Sequence, residues 1–197
     1  LLTAITTDRD GNLFVTDARN NKIRKITALG SVTTLAGSGT TGSTDGTGTT
    51  ASFSFPSGIT FDNAGSMYVS DSNNNKIRKI TSFGVVTTLA GSGVSGSNDG
   101  VGTAASFSNP QGIVIDSNSI IYLADSSRGK IRKITSEAVV STLVGYGSSS
   151  ATDSSGTIAS FRTPWGIAID VNGIIYVADT GNHRIRKVTL SGAVTTL

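Results

Sequence analysis

One seven-residue motif recurs at a fixed spacing and limits the architectures that this chain can adopt. It reads Asn-Asn-Lys-Ile-Arg-Lys-Ile over residues 20–26 and 74–80, and it returns with substitutions over 128–134 and 182–188. The central isoleucines lie at positions 23, 77, 131 and 185, a spacing of 54 residues without insertion or deletion. Such a period is typical of repeat proteins, whose units bury apolar surface against their neighbours. We therefore predict a single repeat domain over residues 1–197, with repeats at 1–54, 55–108, 109–162 and 163–197.

The second repeat predicts four short strands joined by tight turns. Runs rich in β-branched and aromatic residues fall at 59–62, 66–71, 76–81 and 85–90, and Asn, Gly and Ser separate them. Four strands with three short turns form one antiparallel meander. The fold class expected from this pattern is all-β.

A long connection, residues 91–109 in the second repeat, joins one meander to the next. Aligned alanines and phenylalanines keep their places within it, which we interpret as anchors that hold a crossing loop against the body: Ala51, Ala105, Ala159, Phe53, Phe107 and Phe161. The aligned Asp45, Asp99 and Asp153, two of them followed by glycine, are expected to supply a turn. Pro56, Pro110 and Pro164 close the connection, because proline is tolerated just ahead of a strand.

Composition narrows the classes of site that the chain can carry. The absence of cysteine excludes disulfides and thiolate metal sites, and no apolar run is long enough to predict a membrane span. The formal net charge is +3, but twelve of the 16 basic residues fall in three aligned columns of the motif. The charge is therefore a property of the repeat, and a nucleic-acid partner is not favoured.

The last repeat gives the clearest resemblance to a known family. Residues 164–170 read Pro-Trp-Gly-Ile-Ala-Ile-Asp, residues 173–179 read Gly-Ile-Ile-Tyr-Val-Ala-Asp, and residues 182–188 read Asn-His-Arg-Ile-Arg-Lys-Val. These segments resemble the NHL repeat, with Arg184 in place of the leucine of the Asn-His-Leu triplet, and the resemblance extends over all four copies. It implies a β-propeller with one four-stranded antiparallel blade per repeat, the strand at Ile59 nearest the axis and the strand at Val85 outermost.

Four blades leave three alternatives open: a closed four-bladed ring, a segment of a larger propeller, or a propeller completed by a second chain. Leu1 aligns with Phe55 and Leu197 aligns with Leu89, so the chain holds four meanders and three connections. The absent fourth connection favours an open segment or one completed by a neighbour.

The repeated charged residues admit a functional and a structural interpretation. Rings of carboxylates could bind cations or transfer protons. A group repeated in every blade is more often architectural, with aspartates that cap turns or pair with the repeated arginines. We assign a structural role to these columns and to the three prolines: Asp17, Asp71, Asp125, Asp179, Arg24, Arg78, Arg132, Arg186, Pro56, Pro110 and Pro164. A second aspartate column comprises Asp8, Asp62, Asp116 and Asp170.

Two side chains break the repeat and are the candidates for contact with a partner or ligand. Trp165 stands where the other repeats have Ser57 and Gln111, and His183 is the chain's one histidine. A single histidine cannot build a multi-histidine metal centre, and no nucleophile elbow accompanies it. We predict no catalytic, cofactor-binding or metal-binding residue.

These observations predict a non-enzymatic propeller that binds other proteins or copies of itself, as an oligomer or a fibre, at an extracellular or cell-surface location. The alternatives are a glycan-binding or adhesive module, a lactonase-like or lyase-like propeller enzyme, and an RNA-binding NHL domain. An enzyme would need unequal polar residues converging on the axis, and these four repeats are very alike.

Overall fold

The computed structural model describes residues 1–147 and 151–197, and within them the strands fall into four blades. The first blade and the short strand after it are β1 (Leu2–Thr7), β2 (Leu13–Asp17), β3 (Lys22–Ile26), β4 (Val32–Ala36) and β5 (Gly46–Thr47). The second blade and its following short strand are β6 (Pro56–Phe61), β7 (Met67–Asp71), β8 (Lys76–Ile80), β9 (Val85–Ala90) and β10 (Gly100–Val101). The remaining strands are β11 (Pro110–Ile115), β12 (Ile121–Asp125), β13 (Lys130–Ile134), β14 (Val139–Val144), β15 (Ser154–Ser155), β16 (Pro164–Ile169), β17 (Ile175–Asp179), β18 (Arg184–Val188) and β19 (Ala193–Thr196).

Each blade is an antiparallel meander whose strands pair in chain order. The first strands of successive blades pack side by side, β1 on β6, β6 on β11 and β11 on β16, and so surround a common axis. The prediction of an all-β propeller with four-stranded antiparallel blades is therefore confirmed. The helices of the described residues are short 3-10 turns such as Ser72–Asn74, and no helix there is long and apolar enough to cross a membrane.

A fifth strand, which the sequence did not predict, completes three of the blades. The connection that precedes each of blades 2, 3 and 4 contributes two residues to that blade's outer edge: β5 pairs with β9, β10 with β14, and β15 with β19. In blade 2, for example, Gly46 lies opposite Val86 and Thr47 opposite Val85. Each connection thus both crosses to the axis and covers the outer edge of the blade that it enters.

The first strand of a blade, which lies nearest the axis and which we call the inner strand, begins earlier in the sequence than the alternation of apolar and polar residues predicted. Pro56 is the first strand residue rather than the last loop residue, and it lies opposite Asp71. A bulge between Pro56 and Ile59 separates this pair from the regular ladder. Proline fits there because the first position of a strand does not require its amide as a ladder donor.

The apolar core lies between blades and repeats with them. Between blades 1 and 2, Ile23 of the earlier blade meets Ile59 and Val86 of the later one, and Ala51 and Phe53 of the connection complete the cluster. Equivalent clusters fill the next two interfaces. The phenylalanines at 53, 107 and 161 have no exposed surface. We call the side of a blade that meets the following blade its leading face, and the opposite side its trailing face.

The leading face of blade 4 and the trailing face of blade 1 are uncovered. Ile185 is 47% exposed, whereas Ile131, at the same place on the leading face of blade 3, is fully buried. On the trailing faces, Ile5 of blade 1 is 60% exposed and Ile59 of blade 2 only 6%. The two outward faces therefore present apolar side chains that are covered at every internal interface of the described structure.

Candidate functional site

The repeated arginine is the centre of a buried polar cluster, which we call the clamp. Arg78 of blade 2 is fully buried. Its Nη1 donates to Asp71 Oδ2 at 2.8 Å and to the carbonyl of Ser52 at 3.0 Å. Its Nη2 donates to Asp45 Oδ1 at 2.7 Å, and the Phe53 ring centroid lies 5.3 Å from the guanidinium carbon. One arginine thus joins its own blade to the connection that enters it.

The two carboxylates of the clamp lie in different electrostatic environments. Burial raises the pKa of Asp71, against hydrogen bonds from the Ser54 amide, the Asn74 side chain and Arg78. Partial burial acts to raise the pKa of Asp45, but hydrogen bonds from Thr88 and Arg78 lower it by more. The pKa of Asp45 therefore lies below its ordinary value.

The clamp recurs in blades 3 and 4 with nearly the same geometry. Its ion pairs there are Arg132 with Asp125 at 2.9 Å and Asp99 at 2.7 Å, and Arg186 with Asp179 at 2.9 Å and Asp153 at 2.6 Å. Burial raises the pKa of Asp125 to about 6, even though Arg132 and the Ser108 amide lower it. In these blades the repeated arginine and the repeated aspartate of the same blade therefore contact each other inside the protein. Asp45, Asp99 and Asp153 also form ion pairs with the clamp arginines. The sequence interpretation, which expected only a turn at these aspartates, missed this contact.

Blade 1 has the aspartate and the arginine of the clamp, but the described residues include no connection that enters this blade. Asp17 accepts hydrogen bonds from the Asn20 side chain at 2.9 and 3.0 Å. Within residues 1–147 and 151–197, Arg24 has no ion pair. Its buried Nε has no hydrogen-bond partner there, but the same is true of Arg78, Arg132 and Arg186. Arg24 therefore lacks the two carboxylates that hold its counterparts.

The second aspartate column caps turns. Asp62 Oδ1 accepts from the amides of Ala64 and Ser66, and its Oδ2 accepts from the Tyr68 hydroxyl at 3.0 Å. Burial, together with this hydrogen bond and the Asp62 charge, raises the pKa of Tyr68 well above its usual range. Blades 3 and 4 repeat the tyrosine–aspartate contact.

Blade 1 differs at this position, because Phe14 replaces the tyrosine. Asp8 accepts instead from the Asn12 side-chain amide at 2.8 Å. Phe14 meets Phe61 edge to face, with ring centroids 5.0 Å apart, beside an open cleft of about 640 Å³ with Asp8 and Arg9 at its margin.

Trp165 lies on the first strand of blade 4, at a position whose aligned residue in blade 1 contacts the next blade. At the same position in blade 1, the Thr3 hydroxyl donates to the carbonyl of Ser57 at 3.1 Å, and so contacts the next blade. Ser57 and Gln111, which have a following blade, are 3% and 1% exposed, whereas Trp165 is 43% exposed. Its ring is therefore exposed because no blade of the described structure covers it.

His183 occupies a second column that joins blades. In blades 1 and 2 the residue at this position, Asn21 or Asn75, accepts a hydrogen bond at 2.9 Å from the amide that precedes the next blade's inner strand. His183 has the same left-handed backbone as these asparagines, with φ of 54°, and its side chain is exposed. Both candidate contact residues thus belong to the leading side of blade 4.

Two glycines show how closely the inner strands approach. A Cβ added to Gly58 would collide with the carbonyl oxygen of Gln111, and one added to Gly112 with the carbonyl oxygen of Trp165. At Gly166 the nearest atom to an added Cβ is Cβ of Ala178, in ordinary contact at 3.6 Å. The backbone of blade 4 is therefore open where those of blades 2 and 3 are closed by a neighbour.

No group of three or more His, Cys, Asp or Glu side chains placed to hold a metal ion occurs in residues 1–147 and 151–197. Three side chains are exposed on the leading side of blade 4: Trp165 and His183, which differ from the aligned residues of the other repeats, and Ile185, which does not.

Comparison with known proteins agrees with the fold and with the resemblance of the motif. The NHL repeat profile matches residues 53–80 and 161–188. The chain is an NHL-repeat β-propeller. Human NHL repeat-containing protein 2 is 34% identical to it over 155 residues, which cover 71% of this chain and 21% of that protein. Protein SUPPRESSOR OF QUENCHING 1, chloroplastic, of Arabidopsis thaliana is 32% identical over 193 residues, 91% of this chain and 18% of that protein.

A solved structure shows how this NHL-repeat propeller relates to longer ones. A Bacteroides thetaiotaomicron protein of unknown function superposes with a TM-score of 0.76 at 25% identity, over 98% of this chain and 47% of that one. The chain spans about a fifth of the length of the curated relatives described above and about half of this structural neighbour.

Proposed function

We propose that this NHL-repeat propeller is a non-enzymatic protein-interaction and assembly module that binds through the outward faces of its end blades. The observation that carries the proposal is the exposure of Ile185 on one end and Ile5 on the other, at positions whose aligned residues are buried or half-buried in the described interfaces between blades. Exposed contiguous apolar surface on a folded domain is typical of a site for another macromolecule.

The two end faces correspond to the two blade surfaces of an internal interface, to which the connection adds residues such as Ala51 and Phe53. The leading face of blade 4 has the side chains that bind a trailing face at internal interfaces, and blade 1 presents such a trailing face. Contact between two copies would therefore be heterologous, so that it either closes into a ring or continues as a fibre.

The charged columns support a structural rather than a chemical role for the repeat. The clamp arginines of blades 2, 3 and 4 donate to carboxylates and carbonyls of the chain itself. Binding energy for a partner would then come from the apolar end faces and from Trp165. Trp165 is a residue type that often dominates interface energetics. The extracellular location stays a prediction.

Light scattering coupled to size exclusion tests the assembly over a range of concentrations. We expect wild-type species larger than the 20.1 kDa monomer, with a population that grows with concentration. Ile185→Asp places a charge on the leading face of blade 4 and should return the chain to the monomer mass. Leu29→Asp is the matched control, because Leu29 is 98% exposed in the turn between β3 and β4, and it should associate like the wild type.

A wild-type chain that stays at the monomer mass throughout would contradict self-association. The non-enzymatic part of the proposal is tested by chelation followed by re-addition of divalent metals. Turnover that is lost on chelation and restored by one ion per chain would contradict it.

A further inference from the structure

Basic side chains are concentrated at one end of the blades. We call the end that holds the 3-10 turns and the connections the connection end, and the end that holds the other two turns of each blade the turn end. Outside the clamp positions of the four blades, the connection end has seven basic residues and no acidic one: Arg19, Lys22, Lys76, Arg128, Lys130, Arg162 and Arg184. The turn end has five basic residues and six acidic ones.

The clamp positions do not cancel this charge. Their carboxylates in blade 2, Asp45 and Asp71, are both held by Arg78. When the four arginines and seven aspartates of these positions are counted with the connection end, that end keeps an excess of four positive charges. The turn end has an excess of one negative charge. An anionic ligand is therefore attracted to the connection end.

Three lysines lie in a row across the connection end, one on each of blades 1, 2 and 3. Lys22, Lys76 and Lys130, which we call the lysine row, are each the first residue of their blade's third strand. The Nζ of Lys76 donates to the Ser43 hydroxyl at 3.1 Å, and the Nζ of Lys130 donates to the Ser97 hydroxyl at 3.1 Å. Each serine belongs to the connection that enters the blade of its lysine, so these two ammonium groups lie where two blades meet.

The connection that leaves a blade contacts the stem of the same lysine. A Cβ added to Gly93 would lie 3.3 Å from Cε of Lys76, and one added to Gly39 would lie 3.1 Å from Cε of Lys22. An ammonium group has three donors, and within the described residues the serine accepts from only one of them in Lys76 and Lys130. The others remain for a ligand, and a stem held in advance lowers the entropic cost of binding it.

We propose that the connection end binds a linear anionic polysaccharide, whose sulfate or carboxylate groups contact the lysine row. One lysine per blade presents positive charges at a regular interval, which suits a polymer with regularly spaced anionic groups better than a single small anion. The exposed Asn73 and Ser127, in the 3-10 turns beside the row, provide side chains that hydrogen-bond to sugar hydroxyls.

The residues around the lysine row do not suit a single-stranded nucleic acid, whose bases stack on aromatic side chains. No aromatic residue occurs in the segments that carry or flank the row, namely residues 18–22, 37–44, 72–76, 91–98 and 126–130. The exposed Tyr146 lies beyond the row, in the connection that leaves blade 3. Glycine, hydroxyl and amide side chains predominate around the lysines, and they favour a polysaccharide.

This site is separate from the end faces of the proposed function. Lys76 and Lys130 belong to blades 2 and 3, each of which packs against a blade on both sides. A polysaccharide would therefore bind one chain without any contact between copies, so the site goes beyond the assembly role and does not rest on it.

Fluorescence anisotropy of a labelled heparin oligosaccharide, titrated with the full chain at several salt concentrations, tests the site. We expect saturable binding that weakens as salt rises, because the lysines displace counterions from the polyanion. Each lysine contact with an anionic group is partly solvated and should contribute about two- to fivefold in affinity. Lys76→Gln/Lys130→Gln should therefore weaken binding by about four- to 25-fold, and it should make the salt dependence less steep.

The matched control is Lys79→Gln/Lys133→Gln. It removes the same two charges from the same strands, β8 and β13, three residues later and at the turn end. The two double variants have equal net charge, so they differ only in where the charges are lost. The control should bind the oligosaccharide like the wild type. All four lysines are partly exposed, and circular dichroism verifies that both double variants fold.

Equal losses of affinity in the two double variants, or absence of saturable binding, overturn the site. A random-sequence single-stranded RNA of matched charge provides a further test. If the RNA binds more tightly than the oligosaccharide and loses affinity in Lys76→Gln/Lys130→Gln, the connection end binds nucleic acid and the polysaccharide proposal is overturned.

The titration is repeated with Ile185→Asp, which blocks the proposed contact of blade 4. Unchanged binding of the oligosaccharide supports a site that is independent of self-association. If the wild type self-associates but does not bind the oligosaccharide, the polysaccharide site is overturned and the assembly module stands. If a chain that is monomeric at all concentrations binds the oligosaccharide, the site stands and self-association is overturned.

Discussion

Blade 1 and blade 2 contain nearly the same side chains in two different environments. Arg78 holds two carboxylates and has no exposed surface, whereas Arg24, at the same place in the repeat, is half-buried with no ion pair in the described residues. The motif around each is identical over seven residues. The difference arises from the connection that enters blade 2, so the stability of a blade depends on its neighbour as well as on its own sequence, as in repeat proteins generally.

The largest effect should come from removing the clamp arginine. Arg78→Met leaves the buried Asp71 without its charge partner, and loss of one member of a buried ion pair typically costs about 3–5 kcal/mol of unfolding free energy. Arg24→Met removes the same side chain where no ion pair exists, and should cost less than about 1 kcal/mol. Urea unfolding followed by circular dichroism measures both.

Equal losses for the two variants would mean that the connection contributes little to the clamp. Arg132→Met in blade 3 is a second check, because its contacts match those of Arg78, and it should behave like Arg78→Met.

The sequence predicted the repeat, the four-stranded blades and the family, because a 54-residue period and alternating β-branched residues are properties of the chain itself. It did not predict β5, since two residues such as Gly46 and Thr47 are too few to show alternation. Nor did it predict that Asp45 binds Arg78, because Asp-Gly is equally typical of a turn. The register of Asp45, Asp99 and Asp153 with the arginines was the signal that could have shown it.

The two candidate contact residues were predicted from their residue type alone. Only the structure shows what surrounds them. Trp165 and His183 stand out in the sequence because they differ from the other repeats. The structure adds that their columns join one blade to the next, and that blade 4 leaves both side chains exposed. No pattern within a single repeat carries that information.

An intermediate effect is expected where the inner strands meet. Gly112→Ala forces a Cβ against the carbonyl oxygen of Trp165, and overpacking of this kind costs typically about 1–3 kcal/mol. Gly166→Ala makes only an ordinary contact with Ala178 and should change the unfolding free energy by no more than about 0.5 kcal/mol.

The two variants are compared by thermal and urea unfolding at a concentration where the chain is monomeric. The comparison shows whether the leading face of blade 4 is uncovered or packs against a neighbour. If Gly166→Ala is as damaging as Gly112→Ala, a blade packs on the leading face of blade 4 in solution. If it becomes damaging only at concentrations where the chain associates, that neighbour is another copy.

The smallest effect should come from the half-exposed carboxylate of the clamp, and it should depend on pH. Although partial burial raises the pKa of Asp99, hydrogen bonds from Thr142 and Arg132 outweigh it and hold this pKa below its ordinary value. A carboxyl whose pKa is lower in the folded state stabilises the fold above its unfolded pKa and loses that contribution as pH falls through the folded value. Asp99→Asn should therefore cost about 0.5–1 kcal/mol at neutral pH, the range for partly solvated ion pairs, and progressively less below about pH 4.

The measurement is the difference in unfolding free energy between the wild type and Asp99→Asn from pH 7 to pH 3. Asp125, on the same arginine, is common to both proteins, so its own titration near pH 6 largely cancels from the difference. Asp10→Asn is the control for loss of one negative charge, because Asp10 lies in an exposed turn of blade 1 away from the clamp. A difference that stays constant with pH would show that Asp99 acts through its shape and hydrogen bonds rather than its charge.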